Sequence, residues 1–249
     1  MIFSKEIKMA ELIHYNYGVL TVLRRFNIEL GFGDKTIEEV CIKKQINPDF
    51  FLEIVNSFND IDYFSQSKLK KHDVEDILFY LKNTHQFYLT KKFPEIESLI
   101  NGLEFTENNL KNKELLDNFF NVYKIEFINH VKREEDRIYP YIIELDESLK
   151  QNQVSASFHE NMKKYTISDY QEEHEDVEAK LYDLKNIIIK YLPTPLNPDG
   201  YASILVKLFK LESDLNEHSR IEEKVIIPKV KEMEKAYHDA VVSKQMKIV

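Results

Sequence analysis

The chain has 249 residues and a formal net charge of −9, with 43 Asp and Glu against 34 Lys and Arg, 5 Gly and a single Cys. An acidic balance without Arg-rich runs or interleaved basic and aromatic stretches argues against nucleic acid or an anionic membrane as the main partner. One cysteine, Cys41, excludes an intramolecular disulfide and cysteine-rich metal centres, so any metal must be held by nitrogen and oxygen. The scarcity of Gly beside abundant Glu, Lys, Leu and Ile points to an all-α protein. The N-terminal residues Met1 to Lys8 lack a signal-peptide pattern and no apolar run reaches about 18 residues, so a cytoplasmic protein without membrane spans is expected.

Residues 1–60 read as a small helical N-terminal domain of three short helices. Leu20, Val22, Leu23 and Phe26 form an apolar face that ends at the turn Gly31-Phe32-Gly33-Asp34. Thr36 and Glu39 form a capping-box pattern opening a helix through Ile42, and Asn47-Pro48-Asp49 opens another through Phe58. The polar stretch Asn59 to Lys71 reads as a linker. Residues 72–245 then show four long periodic segments. The first carries Val74, Ile77, Leu78, Leu81, His85 and Tyr88, with Pro94 expected to kink it. The second starts near Lys113 and carries Phe119, Tyr123, Phe127, His130 and Glu134. A polar segment from about Leu149 to Ser168 includes a short helix around His159. The third runs from about Asp169 to Tyr191 with His174, Leu181 and Leu184 in step, and a Pro-rich reversal from Leu192 to Gly200 leads into the fourth, with Leu208, Leu211, Leu215, His218 and Glu222. The tail from Lys244 to Val249 is expected to fray.

A repeat organises this second region. His130 and Glu134 recur 88 residues later as His218 and Glu222; Pro140 and Pro228 follow each Glu by six residues. His85 precedes His130 by 45 residues and His174 precedes His218 by 44. Positions i and i+4 share a helix face, so each His-x3-Glu pair projects an imidazole and a carboxylate together. Two such helical hairpins make a four-helix bundle whose centre receives His85, His130, Glu134, His174, His218 and Glu222. Burying these groups without a cation costs several kcal/mol per charge, so they are expected to bind metal. Six donors could saturate one octahedral ion, but two central carboxylates suit a bridged pair, with iron favoured over manganese or zinc. Glu135 and Glu223 lie five residues from their histidines and are read as pointing away, solvated or salt-bridged. Glu126 and Asp214, each four residues before a ligand histidine, are read as supporting or channel residues. Glu178 reaches the metal or makes a surface salt bridge, and His14, His72, His159 and His238 are read as ordinary surface residues.

These motifs, Thr84-His85, His130-x3-Glu134, Glu173-His174-Glu175 and His218-x3-Glu222 with their trailing prolines, resemble the hemerythrin-like di-iron proteins, most closely the iron-sulfur cluster repair family (RIC). The resemblance implies a hemerythrin-like four-helix bundle preceded by a small helical domain, and two non-haem irons joined by carboxylate and oxo bridges. Oxygen-carrying hemerythrins have a further histidine where this chain has Glu178. The run Asn27 to Asp34 corresponds to the Cys-Cys signature of the RIC N-terminal module but contains neither cysteine, so thiol chemistry of that kind is absent here.

The resemblance implies a role in nitrosative or oxidative stress, with NO, O2 or peroxide as ligands, or iron delivery to damaged iron-sulfur proteins, and allows a homodimer. The alternatives are an O2 or NO sensor or carrier without turnover, and a di-iron NO or peroxide reductase in which Glu126 and Glu173 move protons.

Overall fold

The computed structural model describes residues 2–60, 62–173, 177–197, 199–243 and 245–248. The described residues are predominantly α-helical. Among the described residues, strand is confined to β1 (Gln153–Val154) and β2 (Lys247–Ile248), which pair in parallel, and no helix is long and apolar enough to cross a membrane. The pairing of Lys247 and Ile248, with Met246 buried, corrects the expectation of a frayed tail.

Two compact units divide the chain: residues 1–84, 141–167 and 220–249 form the first, and residues 85–140 with 168–219 form the second. The first begins with α1 (Met9–Tyr15), absent from the sequence reading, and continues with α2 (Val19–Arg25), α3 (Ile37–Lys43) and α4 (Pro48–Asn59). Gly31 and Gly33 take φ values of 97° and 64°, the left-handed region that favours glycine, and form the expected turn after α2. Thr36 and Glu39 close the capping box at α3 with bonds of 3.2 and 2.8 Å; such a cap stabilises a helix by about 1 kcal/mol. Asn47 caps α4 at the amides of Asp49 and Phe50. The linker region contains α5 (Gln66–Leu69), which packs on the turn Glu222–Ile226 of the same unit, while Lys229 of α14 (Ile227–Val242) donates to the carbonyls of Lys70 and His72. Also in this unit are α10 (Ala156–Met162), capped by Ser155, and most of α9 (Tyr139–Gln151).

The second unit is built from the end of α6 (Val74–Phe87), α7 (Phe93–Asn101), α8 (Leu110–Arg133), α11 (Ile167–Glu173), α12 (Val177–Lys190) and α13 (Gly200–Ile221). Both α7 and α12 pack on α8. Their shared core is aromatic at its centre: Phe93 meets Phe120, Tyr123 and Phe127 edge-on, with centroids 5.0–5.9 Å apart, and Tyr88 meets Phe127 at 5.8 Å. The Tyr88 hydroxyl donates to the Asp214 carbonyl at 3.0 Å, one turn before His218.

Three π-helical turns interrupt the long helices, at Tyr88–Lys92, Glu134–Ile138 and Glu222–Ile226. Each begins six residues before a proline, Pro94, Pro140 or Pro228. A proline in a helix removes a donor and drives its ring against the carbonyl four residues back. Here the residue just before each proline bonds five residues back, Phe93 to Tyr88, Tyr139 to Glu134 and Ile227 to Glu222, so the helix is widened where the ring must fit and resumes its α form beyond it. The kink expected at Pro94 is one of these turns.

Cys41 is fully buried, and desolvation pushes its thiol up to about 12. It is therefore a protonated, small apolar core residue. A thiol reagent at neutral pH is expected to find no reactive thiol in the native protein and one per chain after denaturation; rapid native labelling would contradict that packing.

Candidate metal centre

His85 lies near the end of α6, His130 near the end of α8, and Glu134 opens the π turn that follows α8. His218 lies near the end of α13, and Glu222 follows one turn later in the same continuous helix, opening its own π turn. All five are buried, between 1% and 5% exposed. Polar side chains of this kind do not stay in a helical core without partners, and here they partner one another. One ligand atom from each of His85, Glu134, His218 and Glu222 lies within 4.8 Å of the other three.

The Glu134 carboxylate lies between two imidazoles. Its Oε2 is 3.1 Å from His85 Nε2, and its Oε1 is 3.1 Å from His130 Nε2. His85 Nε2 also lies 2.9 Å from His218 Nε2. The opposite nitrogen of His85, Nδ1, is 3.0 Å from Glu135 Oε1. A carboxylate accepts hydrogen bonds, so both ring nitrogens of His85 face an acceptor, and a cation bound at Nε2 would leave the proton on Nδ1 for Glu135. Two imidazole nitrogens and a carboxylate thus meet in a dry interior, an arrangement that a cation would stabilise. The donor set, imidazole nitrogen and carboxylate oxygen without sulfur, fits iron, manganese or zinc.

Three neighbours of the cluster had no place in the sequence reading of the site. Tyr170 of α11, buried, donates from its hydroxyl to Glu134 Oε1 at 2.5 Å, on the side of that carboxylate facing His130. It stands four residues before His174, the place that Glu126 and Asp214 hold relative to their histidines, and that offset was the available signal. Tyr139 stacks on His85 with centroids 5.9 Å apart and planes 8° from parallel. Glu135 was read as pointing away; its bond to His85 corrects that. Its α-helical spacing suggested another face, whereas the π turn beginning at Glu134 changes the angular register of the residues after it. Glu223, its counterpart in the repeat, is exposed as expected.

Of the remaining expected site residues, His174 lies outside the described residues, as do the side chains of Glu173 and Glu178. Glu126 is partly exposed and pairs with Lys180 at 2.8 Å. Asp214 is buried, 8% exposed. His14 and His238 are exposed; His72 and His159 are half-buried, and His159 bonds the Tyr237 hydroxyl at 2.8 Å through Nδ1.

No curated protein and no solved structure matches the chain. A protein-family model does: the hemerythrin HHE cation binding domain matches residues 80–230, more than half of the 249 and spanning all the buried donors described above. An internal His-x3-Glu repeat, a helical bundle and converging imidazole and carboxylate donors agree with that match, and the chain belongs to the hemerythrin HHE family of cation-binding proteins.

Proposed function

We propose that the protein is a non-haem di-iron protein that handles NO, O2 or peroxide in the cytoplasm under nitrosative or oxidative stress. In this reading residues 72–245 are the metal-bearing bundle and residues 1–60 an accessory module. The observation that carries the proposal is the Glu134 carboxylate, whose two oxygens each approach a different imidazole at 3.1 Å. A carboxylate so placed suits two ions better than one. His85 stands on its Oε2 side, with His218 and Glu222 in the same cluster, and His130 stands on its Oε1 side.

Four imidazoles and two carboxylates would supply fewer donors than two octahedral ions require, which would leave room for a small exogenous ligand. Bound iron would supply Lewis acidity and one-electron chemistry toward such ligands. The chain's own residues hold the centre and control access to it. Tyr170 anchors one oxygen of Glu134, Tyr88 fixes the Asp214 carbonyl just before His218, and the Phe127 and Tyr88 rings border His130 and His218 at centroid distances of 6.3 and 6.0 Å. These aromatic walls exclude bulk water, which suits a small uncharged ligand. Release of iron to damaged iron-sulfur proteins, in a monomer or homodimer, is the repair form of the same proposal; with no counterpart of the signature cysteines, it would proceed without their thiols.

Purified holoprotein is expected to hold about two irons per chain and no inorganic sulfide by elemental analysis. His130→Ala and Glu222→Ala should each lower that content; one zinc per wild-type chain would overturn the di-iron reading. Tyr170→Phe, which removes only the hydroxyl, should retain iron while weakening its hold by a few-fold in chelator competition, and loss of all metal would instead make Tyr170 indispensable to the centre.

Stopped-flow spectroscopy of the reduced protein with NO, O2 and peroxide separates turnover from a stable adduct, the signature of a sensor or carrier. If Glu126 and Glu173 carry protons toward the centre, the Glu126→Gln, Glu173→Gln double variant keeps its iron but slows turnover or iron release about tenfold or more. Unchanged rates would leave Glu126 with the structural ion pair it makes to Lys180.

A further inference from the structure

We propose that Glu135 is a positioning residue that presents His85 to the metal through Nε2. The inference rests on the metal-binding reading above and concerns a residue that the ligand motif does not include.

The His85 ring is held on three sides by one short stretch of chain. Glu134 faces Nε2 at 3.1 Å, Glu135 faces Nδ1 at 3.0 Å, and Tyr139 lies parallel to the ring plane at 5.9 Å. These three residues open, continue and close the π turn that ends before Pro140, and the Tyr139 amide bonds the Glu134 carbonyl across it. Two consecutive side chains therefore reach opposite edges of one imidazole, which the widened turn permits.

The chemistry of the three contacts differs. An ionised acceptor at Nδ1 makes a stronger hydrogen bond than a neutral one, fixes the Nδ1–H tautomer and keeps the lone pair on Nε2. It also raises the basicity of that lone pair toward a cation. Tyr139 opposes tilting of the ring. Glu135 is 24% exposed, so solvent tempers the bond, and the expected effect sits at the lower end of those seen for supporting carboxylates.

The second repeat has the same Glu-Glu pair, Glu222-Glu223, on an equivalent π turn before Pro228, but Glu223 is exposed and Ile227 replaces the aromatic ring of Tyr139.

The test is anaerobic competition for ferrous iron between a chromophoric chelator and the full-length protein, with melting of the apoprotein measured in parallel. Glu135→Ala is expected to weaken iron binding by about tenfold without changing apoprotein melting, and Glu135→Gln, whose amide oxygen still accepts from Nδ1, to restore most of the loss. In a His85→Ala background, Glu135→Ala should add nothing, because the residue acts through that ring. The proposal is overturned if Glu135→Ala binds within about twofold of wild type, if Glu135→Gln is as impaired as Glu135→Ala, if the loss persists without His85, or if it merely tracks a lower apoprotein melting temperature. A wild-type protein that binds no ferrous iron would refute the metal reading itself, a result distinct from all of these.

Discussion

The Glu134 carboxylate, 1% exposed and set between the Nε2 atoms of His85 and His130, is the constraint on which the rest of the site depends. An ionised carboxylate in an apolar interior costs several kcal/mol after relaxation unless charges and hydrogen bonds offset it. The chain supplies the Tyr170 hydroxyl to one oxygen and converging imidazoles to both, and a cation held there would complete the compensation. Each partner comes from a different stretch of helix, so the carboxylate is satisfied only when α6, α8 and α11 have each delivered a side chain. Polar convergence of this kind adds directional specificity to a core whose aromatic packing is otherwise permissive.

The π turns connect that constraint to the sequence. A buried carboxylate, Glu134 or Glu222, opens two of the three, and the proline six residues later accounts for each widened turn. Such turns recur at functional sites because a stretch one residue out of α register re-aims the side chains around it. Here the benefit is concrete: Glu134 and Glu135 serve two edges of the same ring, which their spacing on a regular α-helix did not suggest.

Much of this was legible in the sequence because it is periodic or local. The all-α class followed from composition and the i, i+4 pattern, the ligand candidates from the spacing of the repeat, and the Thr36 and Asn47 caps from short motifs whose hydrogen bonds span three residues. What escaped depends on register shifts or on distant partners. Glu135 was misread because a π turn alters the angle that the helical wheel assumes. Tyr170 was passed over because its partner, Glu134, lies 36 residues away on another helix. The C-terminal residues were expected to fray, yet Lys247 and Ile248 pair with Gln153 and Val154, a contact with no local signal. Helix α1 opens without a side-chain cap and buries only Met9 and Leu12, too few apolar positions to mark a face.

The central claim is that Glu134 joins two ions. The most direct test is a crystal structure of the iron-loaded protein with anomalous differences measured at the iron edge. The account predicts two peaks about 3.5–4 Å apart, one beside each Glu134 oxygen, with His85 and His130 on different ions. A single peak, or two with Glu134 bound to only one of them, would contradict it.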